Sequence, residues 1–314
     1  MNKITIIGSG AVGSTIAYTL TTLGLASEIV IIDINGEKAL GEALDIRQGT
    51  PFCSPCNIYA GLYCDAVDSD IVIITCGIAR KPGQSRLDLA QTNVNILKSI
   101  TPEITKYAPN AMYVIVSNPV DVLTYAFTKF SGIPEERIIG SGTILDTARL
   151  RARISEYYRV NQQNIHAYVL GEHGDTAVVP WSIANISNVP VEDYGKSLMN
   201  NDGFYPEFKK NEVEDFVRKS GGRVIRRKGA TYYAVSMSVC HLCKCLLSGI
   251  DTSLTVSTMV YGEYGLHDVA LSLVNVVGKN GIHGKIMVPL TDAEIADLHK
   301  SADSLKAVIN SIEI

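Results

Sequence analysis

The sequence lacks any apolar run long enough to cross a membrane. Its longest runs, such as EIVIID and DIVIITCG, have the length of strands. It also lacks a signal-peptide hydrophobic region, because MNKITIIGSG runs directly into a strand pattern. A cytoplasmic protein is the expectation. There is no excess of positive charge. The formal net charge of −4 leaves no basic field for nucleic acid or an anionic membrane. Cysteines are not paired in number: the seven (Cys53, Cys56, Cys64, Cys76, Cys240, Cys243 and Cys245) argue against a disulfide framework. Cys53-x-x-Cys56 and Cys240-x-x-Cys243 could formally offer four thiolates to zinc. Their separation fits no ribbon or finger. The second pair lies in TYYAVSMSVCHLCKCLL, which reads as a buried helix where free cysteine acts as a small hydrophobe. No metal site is expected, and no internal repeat or low-complexity tract is present.

What is present is globular. The 314 residues suffice for one large or two medium domains, and 46% hydrophobic with 19% charged residues argues against disorder. Over the first 142 residues, β-branched apolar runs at 3–8, 28–33, 70–77, 112–118 and 137–142 alternate with helical patterns at 12–24 and 38–49. Such alternation predicts a parallel, doubly wound sheet covered on both faces. Beyond residue 142 the pattern changes. TILDTARLRARISEYY reads as one long amphipathic helix and IHAYVLGEHGD as a strand entering a polar turn. Residues 206–220 read as a polar helix, and HDVALSLVNVVGKNGIHGKIMVPL as a strand pair. The expectation is an α/β protein with a dinucleotide-binding domain at 1–142 and a mixed α+β substrate domain at 143–314.

Gly8-x-Gly10-x-x-Gly13 follows the first predicted strand and opens the first predicted helix, the context this pattern requires. Gly8 permits a tight turn, Gly10 lets backbone approach a pyrophosphate, and Gly13 lets helix and sheet pack closely. Asp33 lies 20 residues after Gly13, at the end of the second strand. A carboxylate there accepts from ribose hydroxyls and repels a 2′-phosphate, which favours NAD.

Four polar features end apolar elements, where open α/β sheets bind ligands: Arg86, SNP at 117–119, LDTAR at 145–149 and GEHGD at 171–175. Asp146 and Arg149 share a helix face. Hydride transfer between NAD and an alcohol carbon needs a partner for the hydroxyl proton, and His173 suits the task. Asp146 could fix its tautomer, Arg149 could hold a carboxylate bidentately, and Arg86 could polarise a carbonyl.

With GSGAVG, KPGQSRLDL, VSNPVDVLT, GSGTILDTARLR, GEHGDT and KGATYYA in place, the chain resembles the L-lactate/L-malate dehydrogenase family over essentially its whole length. The resemblance implies a Rossmann-type NAD-binding domain and a small 2-oxo or 2-hydroxy acid substrate. It implies His173 as proton acceptor, Asp146 as its partner, Arg149 as the carboxylate clamp and Arg86 as the carbonyl polariser on a mobile loop. Asn118 is then the residue bonding the substrate oxygen, with a cis bond before Pro119. Val12, Asp33, Lys38, Tyr63, Gly77, Asn118 and Ser141 match cofactor-contact positions beside the three glycines. The family position that separates lactate from malate enzymes falls on Arg80, the malate-type residue. GEHGDT, GSGTILDTAR and the substrate-side Thr231 of KGATYYA are lactate-type. The expectation is a lactate dehydrogenase that also reduces oxaloacetate, with a dedicated malate dehydrogenase as the rival. A non-catalytic NAD-binding scaffold would not need the set of Arg86, Asp146, Arg149 and His173. Arg151 and His166 match positions that bind fructose 1,6-bisphosphate between subunits in bacterial relatives, and the family is usually homotetrameric.

Overall fold

A computed structural model describes residues 2–78, 86–198 and 207–314, the side chain of Arg86 excepted. β1 (Lys3–Ile7), α1 (Ala11–Thr22), β2 (Glu28–Ile32), α2 (Gly36–Gly49), β3 (Asn57–Ala60), β4 (Ile71–Ile74), α3 (Arg86–Tyr107), β5 (Met112–Ile115), α4 (Val120–Phe130) and β6 (Ile138–Gly140) follow one another. The strands pair in parallel in the order β3-β2-β1-β4-β5-β6. This is the doubly wound arrangement, and its order reverses between β1 and β4. Both faces are covered. Ile4, Ile6, Ile29, Ile31 and Ile73 fill one core, while Ile7, Val30, Val72, Ile74 and Ile115 fill the other. That two-sided burial is why these strands read as continuous apolar runs. Each fully buried isoleucine contributes roughly 1.5–3 kcal/mol. β3 carries no such run. Only Ile58 of its NIYA is buried, as befits an edge strand.

The second half contains α5 (Ile144–Tyr158), β7 (Ile165–His166), β8 (Asn185–Ile186), β9 (Val189–Pro190), α6 (Tyr194–Ser197), α7 (Lys210–Lys228), α8 (Tyr233–Leu247), β10 (Thr252–Tyr261), β11 (His267–Gly278), β12 (Gly281–Lys285) and α9 (Asp292–Ile309). Two sequence expectations need correction. The strand expected in IHAYVLGEHGD is a ladder only at Ile165–His166, followed by isolated bridges from Leu170 and Gly171. Side chains of α5 replace the missing ladder partner. Thr147 Oγ1 accepts the Val169 N–H, Thr143 Oγ1 donates to the Val169 carbonyl, and Arg151 Nε donates to that of Ala167.

The polar helix expected at 206–220 is α7, which continues to Lys228. The expected strand pair near the end is β11 and β12, joined antiparallel. β10 pairs antiparallel with β11 and touches β6 at Ser257↔Gly140, so one sheet of nine strands runs through both halves of the chain. Residues of α8 share a core with those of α1 and α2, while residues of α9 share the opposite core with those of α3 and α4. The last parallel strand, β6, ends at Gly140, and each of the two cores contains residues from both halves of the chain. No helix among the described residues is long and apolar enough to cross a membrane.

Candidate active site

The glycine turn after β1 is closed on two sides and open on a third. A Cβ at Gly8, whose φ is +106°, would lie 2.8 Å from Thr75 Oγ1, and one at Gly13 would lie 1.9 Å from the Gly8 carbonyl. Thr75 Oγ1 itself reaches the Ile7 and Gly8 carbonyls at 3.0 Å. Gly10 faces open space, with nothing within 4 Å of a Cβ there. Gly10 caps α1 without a side-chain hydrogen bond, so the helix N-terminus keeps backbone N–H groups for an anion. The cradle thus fits a pyrophosphate.

Asp33 Oδ2 accepts from Ser9 N at 2.6 Å and Ser9 Oγ at 2.9 Å, and Oδ1 accepts from Asn35 N at 2.8 Å. Burial alone would raise its pKa, but these donors and the charge of Lys38 hold it below the ordinary value. The carboxylate stays anionic at the strand end, as a ribose acceptor must. Lys38 sits exposed in the first turn of α2, and half-buried Tyr63 feels the charge of Asp33. Val12, Gly77 and Asn118 line one cavity of 180 Å³ at the switch point, with Asn93 in its wall. Ser141 is not among the lining residues; it is buried beyond β6 and donates its N–H to the Ile115 carbonyl.

At the other end of the site, α5 presents Asp146 and Arg149 on one face. Asp146, 6% exposed, accepts from Arg149 Nη1 at 2.9 Å through Oδ1. Its Oδ2 meets His173 Nδ1 at 2.5 Å. His173 Nε2 has no hydrogen bond among the described residues, and the side chain is 27% exposed. The ring is thus gripped on one nitrogen and open on the other. The charge of Asp146, opposed by desolvation, raises the His173 pKa to about 9. Burial would raise Asp146, but the charges of His173 and Arg149 keep it low. The arrangement can hold a proton on His173 at neutral pH and deliver it from Nε2.

The turn carrying His173 is pinned from three sides. Gly171, with φ +83°, exchanges backbone hydrogen bonds with Ser272 of β11. Glu172 N donates to Ser301 Oγ of α9, and His173 N donates to Asp121 Oδ2 of α4, both at 2.8 Å.

Other expected residues are placed less fully. Arg80 and the Arg86 side chain lie outside the described residues. Asn118 is exposed and joined to Pro119 by a cis bond. Thr231 is half-buried in the connection between α7 and α8, and no described hydrogen bond joins it to His173. Arg151 packs against Tyr168 and lines an apolar groove of 510 Å³, whereas exposed His166 is not among that groove's residues.

Sequence reasoning passed over three residues. Ser9 is the clamp on Asp33. Asn93, 2% exposed, accepts from Ile78 N at 2.8 Å and donates to the Asn118 carbonyl at 2.7 Å. Asp121 holds the histidine turn. Only Asp121 carried a signal, a charge inside the otherwise apolar VDVL; Ser9 lies among turn glycines and Asn93 in the polar QTNVN of α3, where nothing sets them apart.

The chain is 45% identical to the L-lactate dehydrogenase of Acetivibrio thermocellus over 314 residues, 100% of this chain and 98% of that protein. It is 46% identical over 318 residues to the L-lactate dehydrogenase of Thermoanaerobacter sp. (strain X514), covering 100% of both. The crystal structure of the minor L-lactate dehydrogenase from Enterococcus mundtii superposes with a TM-score of 0.93 at 36% identity, covering 100% of this chain and 99% of that one. Residues 2–140 match the lactate/malate dehydrogenase NAD binding domain and residues 143–313 the alpha/beta C-terminal domain of the same enzymes. Both halves of the chain thus carry one family's signature, and the chain belongs to the lactate/malate dehydrogenase family as an NAD-dependent dehydrogenase.

Proposed function

We propose that this enzyme converts pyruvate and NADH to L-lactate and NAD, and that Arg80 lets it reduce oxaloacetate as well. The observation that carries the reading is the line from Arg149 through Asp146 to His173, which leaves Nε2 free. NADH, when bound, supplies the hydride for the carbonyl carbon. The open face at Gly10 and the α1 N-terminus receive the pyrophosphate, and Asp33 receives the ribose hydroxyls. His173 Nε2 gives its proton to the carbonyl oxygen as the alcohol forms. Asp146 holds the proton on Nδ1 and stabilises the imidazolium. Arg149 grips the substrate carboxylate with the edge of its guanidinium not bonded to Asp146. By sequence, Arg86 polarises the carbonyl, Asn118 bonds its oxygen, and Thr231 lies on the substrate side.

Lactate chemistry is favoured by the names of the relatives. Oxaloacetate is favoured by Arg80, which can pair with a second carboxylate; pyruvate offers only a methyl there. In a dual-use enzyme, kcat/KM for the two acids differs by less than ~10³, about 4 kcal/mol. Steady-state NADH oxidation with each acid measures the ratio. A preference above that bound for pyruvate removes the oxaloacetate activity. One above it for oxaloacetate makes this a dedicated malate dehydrogenase, and no turnover of either acid removes the whole reading.

A homotetramer is also proposed. In support, the 510 Å³ groove is walled by Ile144, Leu145, Met237 and Leu254, and α2 exposes Leu40 and Leu44, apolar surface of the kind that further copies of the chain can cover. Fructose 1,6-bisphosphate is the proposed effector, held between copies by Arg151 and His166. In support, Arg151 is bonded to the carbonyl of Ala167, the residue after His166. All seven cysteines are free thiols, which suits the cytoplasm.

A further inference from the structure

We propose that Asp121 is a positioning residue for His173: sealed behind the histidine turn, its carboxylate fixes the His173 backbone and keeps a negative charge behind the ring. The inference rests on the reading of His173 as the acid/base group and adds to it a second carboxylate.

Asp121 lies in the first turn of α4, three residues after Asn118, and is 2% exposed. Oδ2 accepts the His173 N–H at 2.8 Å, and Oδ1 accepts the Ser257 hydroxyl of β10 at 2.6 Å. One side chain therefore joins the helix after Asn118, the histidine turn and the strand that extends the sheet. Among the described residues it has no lysine or arginine partner. A buried carboxylate with two neutral donors and no cation is costly, and the α4 N-terminus offsets only part of that cost. The nearby group able to complete the compensation is the His173 imidazolium.

The charges facing His173 can be counted by element. α5 contributes Asp146 and Arg149 and α4 contributes Asp121, while Glu172 of the turn acts on Asp121. β10 and α9 face the turn with the neutral hydroxyls of Ser257 and Ser301. Within the group of His173, Asp146, Arg149 and Asp121, the charges cancel when His173 is protonated and leave one negative charge when it is not. Asp121 therefore favours the proton-loaded ring. Burial raises the Asp121 pKa to about 6, so it is ionised at neutral pH, and its charge adds to that of Asp146 in raising His173.

Asp121→Asn separates charge from geometry. The amide oxygen still accepts the His173 N–H, and the amide nitrogen can donate to Ser257 Oγ. The test compares kcat/KM for pyruvate against pH in wild type, Asp121→Asn, Ser257→Ala and His173→Asn, with thermal unfolding alongside. Asp121→Asn is expected to move the alkaline midpoint down by about half a pH unit or more. Ser257→Ala disturbs the same packing but keeps the charge, so it should keep the wild-type midpoint. If Asp121→Asn does not fold, Asp121→Ser is read in the same way.

A wild-type midpoint in the charge-removed variant, with His173→Asn inactive, overturns the role of Asp121 and leaves His173 standing. An equal displacement in Ser257→Ala also overturns it, because packing then explains the effect. His173→Asn retaining more than a tenth of wild-type activity overturns both readings.

Discussion

His173→Asn is expected to lower kcat for pyruvate reduction by roughly 10²–10⁴-fold while leaving NADH affinity near the wild-type value. Asparagine can still reach Asp146 with an amide hydrogen, so the pocket keeps its shape. What disappears is the proton donor at the Nε2 position. The Asp33 and Gly10 end of the site is built on β1, β2 and α1, away from α5 and the histidine turn, so cofactor binding is spared. Steady-state kinetics combined with a fluorescence titration of NADH separates the two effects. A matching loss of NADH affinity would show that the substitution had disturbed the fold instead.

Arg80→Gln carries the second large effect, and the sign depends on the substrate. In a closed, dry site, losing a bidentate partner for the second carboxylate of oxaloacetate costs on the order of 2–5 kcal/mol. That corresponds to a fall in kcat/KM of roughly 30-fold to several thousandfold. Pyruvate use should rise, because glutamine near a methyl group leaves no unpaired charge to bury. Measuring both acids on the same preparation gives the switch directly. If neither kcat/KM moves, Arg80 does not read the substrate.

Much of the architecture was legible because burial on both faces writes an unbroken apolar run. β1, β2, β4 and β5 announce themselves in this way, and the turn glycines follow at the spacing a pyrophosphate cradle needs. β3 was not legible because one buried residue carries no period. β7 was not legible at its true length because hydroxyl and guanidinium groups of α5 satisfy the backbone that a ladder would otherwise pair. The single nine-stranded sheet was also hidden, since it depends on one contact between Ser257 and Gly140 across the two halves.

In the site, Asp146 and Arg149 are three residues apart on one helix, so their pairing could be read from spacing. The bond from His173 to Asp146 spans 27 residues, and that from His173 to Asp121 spans 52. Spacing says nothing about contacts of that range. The first was reached through the chemistry a dehydrogenase requires and through the family resemblance. The second emerged only when the turn was seen against α4.

The most direct measurement is the pH dependence of kcat/KM for pyruvate reduction, which reports the free enzyme. Reduction needs the protonated ring. With the His173 pKa raised by the Asp146 charge to about 9, activity should be held through neutral pH and fall as pH rises through about 9. Lactate oxidation needs the neutral ring and should gain over the same range. A reduction profile that falls with a midpoint near the ordinary histidine value of about 6.5, or that stays flat through pH 10, would contradict the coupling of His173 to Asp146 on which the mechanism stands.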